Sequence, residues 1–460
     1  MSSAVESHGA SFRDPSGFIF RRGGVVLRQV NQVFEPHYRK FVDSGLSGEL
    51  IDAGLMLPFE ETAEEPSAPG ALCVLRPQAL SLISYPWEWS FGQRKDAALV
   101  TLEIAKRARA KGMVLKDANA FNIQFHRGRP VLIDHLSFEA AVEGEPWVAY
   151  HQFCEQFLAP LALMALVDVR LGGMMRGHTA GVPLDLASTL LPGSSKMKLG
   201  LLAHIHGHAK ARKQSEGGGS GSSARMNDTA HAALLDNLTT TVKSLQWTPE
   251  GTVWGDYYAQ TNYSSGAMDA KRRLVKEFLT DIKEPLRTCW DLGANTGEFS
   301  QIAAELGLQT TAWDIDPAAV EKNYRAVKER GLTNLLPLRQ DFADPSPRLG
   351  WDLNERESLA DRGPADAALA LALVHHLAIA NNVPLPLVAE WLRKMGRWVI
   401  VEFVPKSDSQ TQRLLASRRD IFDGYHEEGF AAAMDGQFEL VRREMIPDSE
   451  RTLFLYRARE

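Results

Sequence analysis

The chain has 460 residues, 44% of them hydrophobic and 23% charged, with a formal net charge of −6. That length predicts two or three cores in an ordinary globular chain. The acidic balance argues against a nucleic-acid partner, no apolar run reaches the roughly 18 residues of a membrane span, and the scattered Cys73, Cys154 and Cys289 argue against a disulfide framework or a zinc site.

The opening MSSAVESHGASFRDPSG has neither the basic start nor the apolar stretch of a secretory signal, so a cytoplasmic location is expected. GFIF and VVLRQV, around Arg21 to Gly24, predict a β-hairpin. A helical stretch from Pro36 to Gly54 follows, then a loop from Phe59 to Gly70 and a strand at Ala79 to Ser84. Ala97, Val100, Ile104 and Ala108 recur with a helical period, which predicts a helix over Lys95 to Lys111. Strands at Ile123–Phe125 and Val131–Ile133 flank a turn, and Tyr150 to His208 reads as helix broken by Pro160, Pro183 and Pro192. His204 and His208 share an i, i+4 spacing that invites a metal, but no carboxylate or cysteine stands beside them, and a surface helix is the plainer reading.

EGGGSGSS at Glu216 to Ser223 cannot bury enough apolar area to fold and predicts a flexible connector, natural or engineered. The expected division is therefore 1–208, a linker over 209–227, and 228–460. Beyond the linker, strand-like segments at Thr288–Leu292, Gln309–Trp313, Leu335–Pro337, Ala367–Leu373 and Trp398–Phe403 alternate with helical patterns. That alternation predicts a parallel sheet covered on both faces, with two further strands at Phe438–Glu444 and Thr452–Tyr456.

Three elements of this region carry chemistry. DLGANTG (Asp291 to Gly297) is a strand running into a glycine-bearing turn and a helix, where Gly293 and Gly297 let the backbone approach a ligand. WDIDP ends the next strand, which places Asp314 to accept hydrogen bonds from ribose hydroxyls. QDF follows the third, where Asp341 can meet an amino group of a base and Phe342 can cover it. In order and spacing these resemble motifs I, II and III of the class I S-adenosylmethionine (SAM)-dependent methyltransferases, over about 200 residues. The resemblance implies a Rossmann-like α/β sheet with SAM as cofactor. It also implies that Asp291, Gly293, Ala294, Asn295 and Gly297 surround the methionine end, that Asp314 and Ile315 meet the ribose, and that Asp341 and Phe342 hold adenine. A nicotinamide enzyme would show G-x-G-x-x-G, whereas this turn is G-x-x-x-G preceded by Asp.

Methyl transfer needs an acceptor placed in line, and a base where one helps. His376, ahead of His375, is the candidate base just past the fourth strand; the alternative is a helix cap or packing under the cofactor. Glu402, Lys406, Arg418, Arg419 and Tyr425 are candidates to hold a polar or anionic substrate group, or else form a solvated face. Tyr258, Tyr263 and Lys271 precede motif I and can cover cofactor and acceptor, or serve as core.

In the N-terminal region Asp117, Asn122 and Asp134 stand in DANAFN and, after a short hairpin, LIDH. The spacing resembles the catalytic and metal-binding segment of protein-kinase-like and aminoglycoside-phosphotransferase-like folds. The resemblance implies an α+β kinase-like domain with Asp117 as base and Asn122 and Asp134 as ligands of Mg²⁺ on ATP. A glycine-rich phosphate loop is missing, Leu115 replaces the usual histidine, and Arg28 is the nearest substitute for the nucleotide lysine, which favours a degenerate domain that assists binding. The two-domain arrangement, with YPWEWSFGQRKDAAL, resembles bacterial nodulation-associated methyltransferases. That resemblance implies a small-molecule or glycan-like acceptor, with a bifunctional kinase–methyltransferase and a non-catalytic SAM-binding module as alternatives and a homo-oligomer or protein partner allowed.

Overall fold

The computed structural model describes residues 5–210, 225–252, 265–416 and 418–460. They divide into two units, Met1–Thr248 with Arg348–Arg356, and Pro249–Pro347 with Glu357–Glu460. The Gly/Ser stretch at 216–223 lies outside the described residues.

In the first unit, strands β1 (Val5–Ser7), β2 (Gly17–Arg22), β3 (Val25–Asn31), β4 (Phe59–Thr62) and β5 (Ala71–Pro77) form an antiparallel sheet in the order β1-β2-β3-β5-β4. Gly23 and Gly24, at φ 57° and 79°, make the two-residue turn between β2 and β3, a backbone shape that few other residues adopt without strain. The segment at 59–62 is strand where a loop was expected, and the strand expected at 79–84 lies instead at 71–77. There Val74 and Leu75 are both buried, in separate clusters on opposite faces of the sheet, while β3 and β4 pair on either side. Helices α1 (Glu35–Asp43) and α2 (Leu46–Asp52) connect β3 to β4. The long helix α3 (Phe91–Ala110) begins earlier than its apolar period suggested, because Ser90 and Gln93 close a capping box. Short strands β6 (Met113–Leu115) and β9 (Phe138–Ala140) pair, as do β7 (Ile123–His126) and β8 (Arg129–Leu132), and a helical region follows. His204 and His206 are buried within a π-helical turn at Leu202–Gly207, which corrects the surface-helix reading. Their ring nitrogens bond Tyr150 and Asn237, and Ser188 and Ser195, respectively.

The helix Asp228–Ser244 belongs to this first unit, although the expected boundary put it with the second. Its buried Leu235, Leu238 and Val242 serve the first core, and Asp236 pairs with Lys106 of α3 at 2.6 Å.

The second unit is built on β10 (Thr288–Leu292), β11 (Gln309–Asp314), β12 (Leu335–Arg339), β13 (Ala365–Ala370), β14 (Gly396–Phe403), β15 (Phe438–Met445) and β16 (Thr452–Ala458). The sheet order is β12-β11-β10-β13-β14-β16-β15. The first five strands are parallel, while β16 runs antiparallel to β14 and β15 antiparallel to β16. It is a mixed Rossmann-like sheet, and its strand order reverses between β10 and β13, the place where open α/β sheets leave a crevice at their carboxyl ends. One core layer packs Val275 and Phe278 of the helix Ser265–Asp281 and Phe299 and Ala303 of the helix Glu298–Glu305 on Cys289, Leu369, Ile400 and Leu455 of the sheet. Among the described residues no helix is long and apolar enough to cross a membrane.

Candidate active site

The apolar strand β10 carries one carboxylate, Asp291, to its end and then turns sharply. Gly293, Asn295 and Gly297 all take positive φ, at 84°, 50° and 86°. The turn is pinned to the neighbouring strand, with the Gly293 and Ala294 N–H groups both donating to the Trp313 carbonyl, at 2.9 and 2.8 Å. The Asn295 N–H donates to Asp314 Oδ2 at 2.7 Å, and the Asp316 N–H to Asp314 Oδ1 at 2.8 Å. Ser300 donates its hydroxyl to Asp291 Oδ2 at 2.6 Å. Asp316 caps the helix Pro317–Arg330 through the Ala318 and Ala319 N–H groups, which fixes the chain just after Asp314.

These strand ends border a cavity of about 230 Å³ at the reversal point of the sheet. Of the residues singled out from the sequence, Asp291, Gly293, Ala294, Asn295, Asp314, Ile315, Asp341, Phe342, Lys271 and His376 line it. Gly297 does not. A Cβ there would meet the Asn323 side chain at 2.4–2.7 Å, so its glycine serves the left-handed helix start and the packing of the next helix, not an approaching ligand. His375 is buried beside His376, ring centroids 4.2 Å apart, and is not on the cavity wall. Sequence reasoning missed Asn381, Gln340 and Phe299 on that wall, and also Ala372, which holds a positive φ of 51° there. An alanine in that region is a strained position of the kind that collects at sites.

The electrostatics of the cavity are unusual for carboxylates. Burial pushes Asp291 up to about 7, against the pull of the Ser300 hydroxyl and the Lys271 charge. Burial likewise pushes Asp314 up to about 6, with the Asp316 and Asn295 N–H groups acting in the opposite direction. Among the described residues neither carboxylate has a cation within ion-pair distance; the Lys271 charge acts on Asp291 from further off, and Asp314 is met by backbone N–H groups. Burial lowers Lys271, partly offset by Glu402, whose Oε2 receives its ammonium at 2.6 Å. His376 is brought down to about 4 by burial and then by the Arg451 charge, so it is a neutral imidazole at pH 7.

The remaining substrate candidates separate. Glu402 is fully buried behind Lys271, and Lys406 pairs with Asp420 at 2.8 Å. Arg418 donates to the Ile379 and Ala380 carbonyls and to Asn382, capping the turn that carries His376. Tyr425 is a core residue, stacked on Phe403 and donating its hydroxyl to the Val404 carbonyl at 2.9 Å, and Arg419 is exposed away from the wall. Tyr258 and Tyr263 lie outside the described residues.

In the first unit Asp117, Asn122 and Asp134 also come together. Asn122 donates to Asp117 Oδ2 at 3.0 Å, and Gln152 to Asp117 Oδ1 at 2.7 Å. Asp134 is filled differently: Arg28 of β3 donates to Oδ1 and the Ser137 hydroxyl to Oδ2. Arg28, considered in place of a nucleotide lysine, thus pairs with the carboxylate expected to hold a metal. Among the described residues no group of three or more His, Cys, Asp or Glu is arranged to hold a metal ion.

No family model matches the chain. Over 463 aligned residues it is 36% identical to nodulation protein NoeA of Rhizobium meliloti (strain 1021), covering 98% of this chain and 96% of that protein. Among solved structures it is similar to magnesium protoporphyrin IX methyltransferase (ChlM) from Synechocystis PCC 6803 with bound SAH, at 18% identity over 45% of this chain and 93% of that one, TM-score 0.31. It is also similar to N-methyltransferase NodS from Bradyrhizobium japonicum WM9, at 12% identity over 43% of this chain and 99% of that one, TM-score 0.31. Scores of this size leave function to the residues of the cavity.

Proposed function

The chain belongs to the family of nodulation protein NoeA, and from that footing we propose that its C-terminal unit is a SAM-dependent methyltransferase. The observation that carries the reading is the convergence of Asp291, Asp314 and Asp341, from three successive strand ends, on one cavity at the sheet's reversal point. SAM has two cationic centres and one carboxylate. Asp291 and Lys271 on the wall suit the ammonium and carboxylate of the amino-acid end, Asp314 and Asp341 offer acceptors to the uncharged nucleoside, and the raised Asp291 gains from a cationic ligand.

When bound, the cofactor supplies an electrophilic methyl group on a sulfonium. The chain's own residues have the tasks of holding and orienting. Asp314, with one N–H on each oxygen, keeps outward lone pairs for ribose hydroxyls; Asp341 and Phe342 serve the base; Asp291 and the Gly293–Asn295 turn serve the methionine end. Alignment of acceptor and methyl group contributes roughly 7–11 kcal/mol in well-oriented reactions. His376 is neutral at pH 7 but a weak base at about 4, so its role is to accept a hydrogen bond from the acceptor's O–H or N–H and aim the lone pair. The acceptor is an oxygen or nitrogen of a small molecule or glycan-like compound. Lys406 and Arg418 are committed elsewhere, which favours a neutral or cationic acceptor over an anionic one. The N-terminal unit is read as a degenerate kinase-like scaffold that assists substrate binding.

Calorimetric titration of the full chain with S-adenosylhomocysteine tests the reading. Wild type binds, and Asp314→Ala binds about 100-fold more weakly, the size of two lost charge-assisted hydrogen bonds. Wild type that takes up no ligand sinks the proposal, and unchanged affinity in the variant removes the ribose role of Asp314.

A further inference from the structure

Lys271 is the one Lys or Arg side chain on the cavity wall among the described residues, and it does not stand there by itself. Behind it, charges alternate through the interior of the second unit. Lys271 Nζ donates to Glu402 Oε2 at 2.6 Å, and Arg451 Nη1 donates to Glu402 Oε1 at 3.2 Å. Arg451 turns the rest of its fork on Asp408, Nε to Oδ2 at 2.8 Å and Nη2 to Oδ1 at 3.1 Å. Asp408 is held in turn as the cap of the helix Ser409–Leu415, accepting the Gln410 N–H at 2.8 Å. Side-chain exposure along the row is 4% for Lys271, 0% for Glu402, 1% for Arg451 and 6% for Asp408.

Four buried charges drawn from a helix, two strand ends and a helix cap are costly to desolvate, and an apolar cluster would fill the same space. A Lys271–Glu402 pair is neutral without Arg451, so Arg451 is not needed to balance charge at the cavity. What the arginine adds is direction. Its planar fork grips Asp408 with two parallel bonds and presents its remaining nitrogen to one oxygen of Glu402. With Oε1 engaged, Glu402 offers Oε2 to Lys271, and the ammonium is set between that carboxylate, the Asp291 charge and the Phe299 ring at 4.6 Å.

We propose that Arg451 is a positioning residue for ligand binding: acting through Glu402, it fixes the Lys271 ammonium at the cavity wall, where the carboxylate of a bound amino-acid moiety is received. The identity of that ligand rests on the methyltransferase reading. The relay makes a prediction that a merely structural salt bridge does not, because it acts on the amino-acid end of the ligand and leaves the nucleoside end alone.

The experiment titrates the full chain with two probes, S-adenosylhomocysteine and 5′-methylthioadenosine, which lacks the amino-acid part. Arg451→Met is expected to weaken S-adenosylhomocysteine about 10- to 100-fold and methylthioadenosine by less than about threefold. Arg451→Lys, which keeps the charge but not the fork, recovers part of the loss. Glu402→Gln, of nearly unchanged shape, repeats the selective loss and carries the test if Arg451→Met does not fold. Equal weakening of both probes, or of neither, overturns the relay while leaving the methyltransferase reading intact. Wild type that binds neither probe overturns that reading and the relay with it.

Discussion

Asp314 in the C-terminal unit and Asp134 in the N-terminal unit are both largely buried aspartates at or just past the end of a short strand, yet they have opposite character. Among the described residues Asp314 accepts only backbone N–H groups; it faces a cavity and is pushed up to about 6 by burial. Burial would raise Asp134 as well, but the Arg28 guanidinium and the Ser137 hydroxyl more than reverse it and hold the carboxyl below its usual range. A carboxylate matched by a cation of its own chain is part of the architecture. One met by backbone N–H groups beside open space keeps acceptor capacity for a ligand from outside. The difference lies not in the aspartate or its local motif but in whether a distant segment sends an arginine to it.

The largest effect expected from breaking this contrast is on stability. Arg28→Met leaves Asp134 buried without its cation and is predicted to destabilise the N-terminal unit by about 3–5 kcal/mol. Asp291→Asn removes a carboxylate that its surroundings disfavour, and is predicted to stabilise the ligand-free C-terminal unit at pH 8 by on the order of 1 kcal/mol while weakening cofactor binding. Urea denaturation of each variant measures both. If the two substitutions shift stability in the same direction, the division into filled and waiting carboxylates is wrong.

A smaller effect follows pH, and its sign differs between the units. Asp291 titrates near 7 folded and near the ordinary carboxylate value of about 4 unfolded. The folded state therefore holds the proton longer, and the contribution of Asp291 to stability is greatest in acid and is lost as pH rises from about 4 to about 7. Asp134 behaves conversely: its contribution is present above the ordinary carboxylate value and is lost as pH falls through its depressed folded value. For ligand binding, a cation needs Asp291 ionised. Affinity for SAM should then fall below pH 7, approaching tenfold per pH unit, with Asp314 steepening the fall below about 6. Calorimetry from pH 8 to 5.5 checks this, and a slope that Asp291→Asn fails to flatten would assign the dependence to another group.

How much of this was legible in the sequence follows from where each partner lies. Asp291 and Asp314 stand at the ends of strands and Asp341 just past one, so the strand–helix alternation together with the motif resemblance put them at one edge of a parallel sheet, and the sheet brought them together. Gly297 was legible as a glycine but not in its reason, because Asn323, which excludes a Cβ there, belongs to the next helix. Ser90 and Gln93 were a readable cap, yet the apolar period of α3 drew its start too late. The burial of His204 and His206 had no local signal, since their partners Asn237 and Ser188 lie on other helices. Arg451 was out of reach for the same reason: a charged residue in a hairpin reads as solvated until the fold closes Glu402 and Asp408 around it.

The smallest expected effect is none, and it bears on the N-terminal unit. Asp117, Asn122 and Asp134 are brought together as the sequence resemblance implies, but proximity is not vacancy. For Asp134 to take Mg²⁺ with a nucleotide, it would have to exchange the Arg28 guanidinium and the Ser137 hydroxyl for the metal. Asp117 is already bonded through both oxygens, to Gln152 and Asn122, and burial and the nearby Asp134 push its pKa up. Wild-type full chain is therefore predicted to give no binding heat with ATP and Mg²⁺, under conditions where S-adenosylhomocysteine gives a clear isotherm. Saturable heat with ATP and Mg²⁺ that Asp134→Asn abolishes would mean that the Arg28 pair opens on demand, and the contrast between the two units would become one of degree.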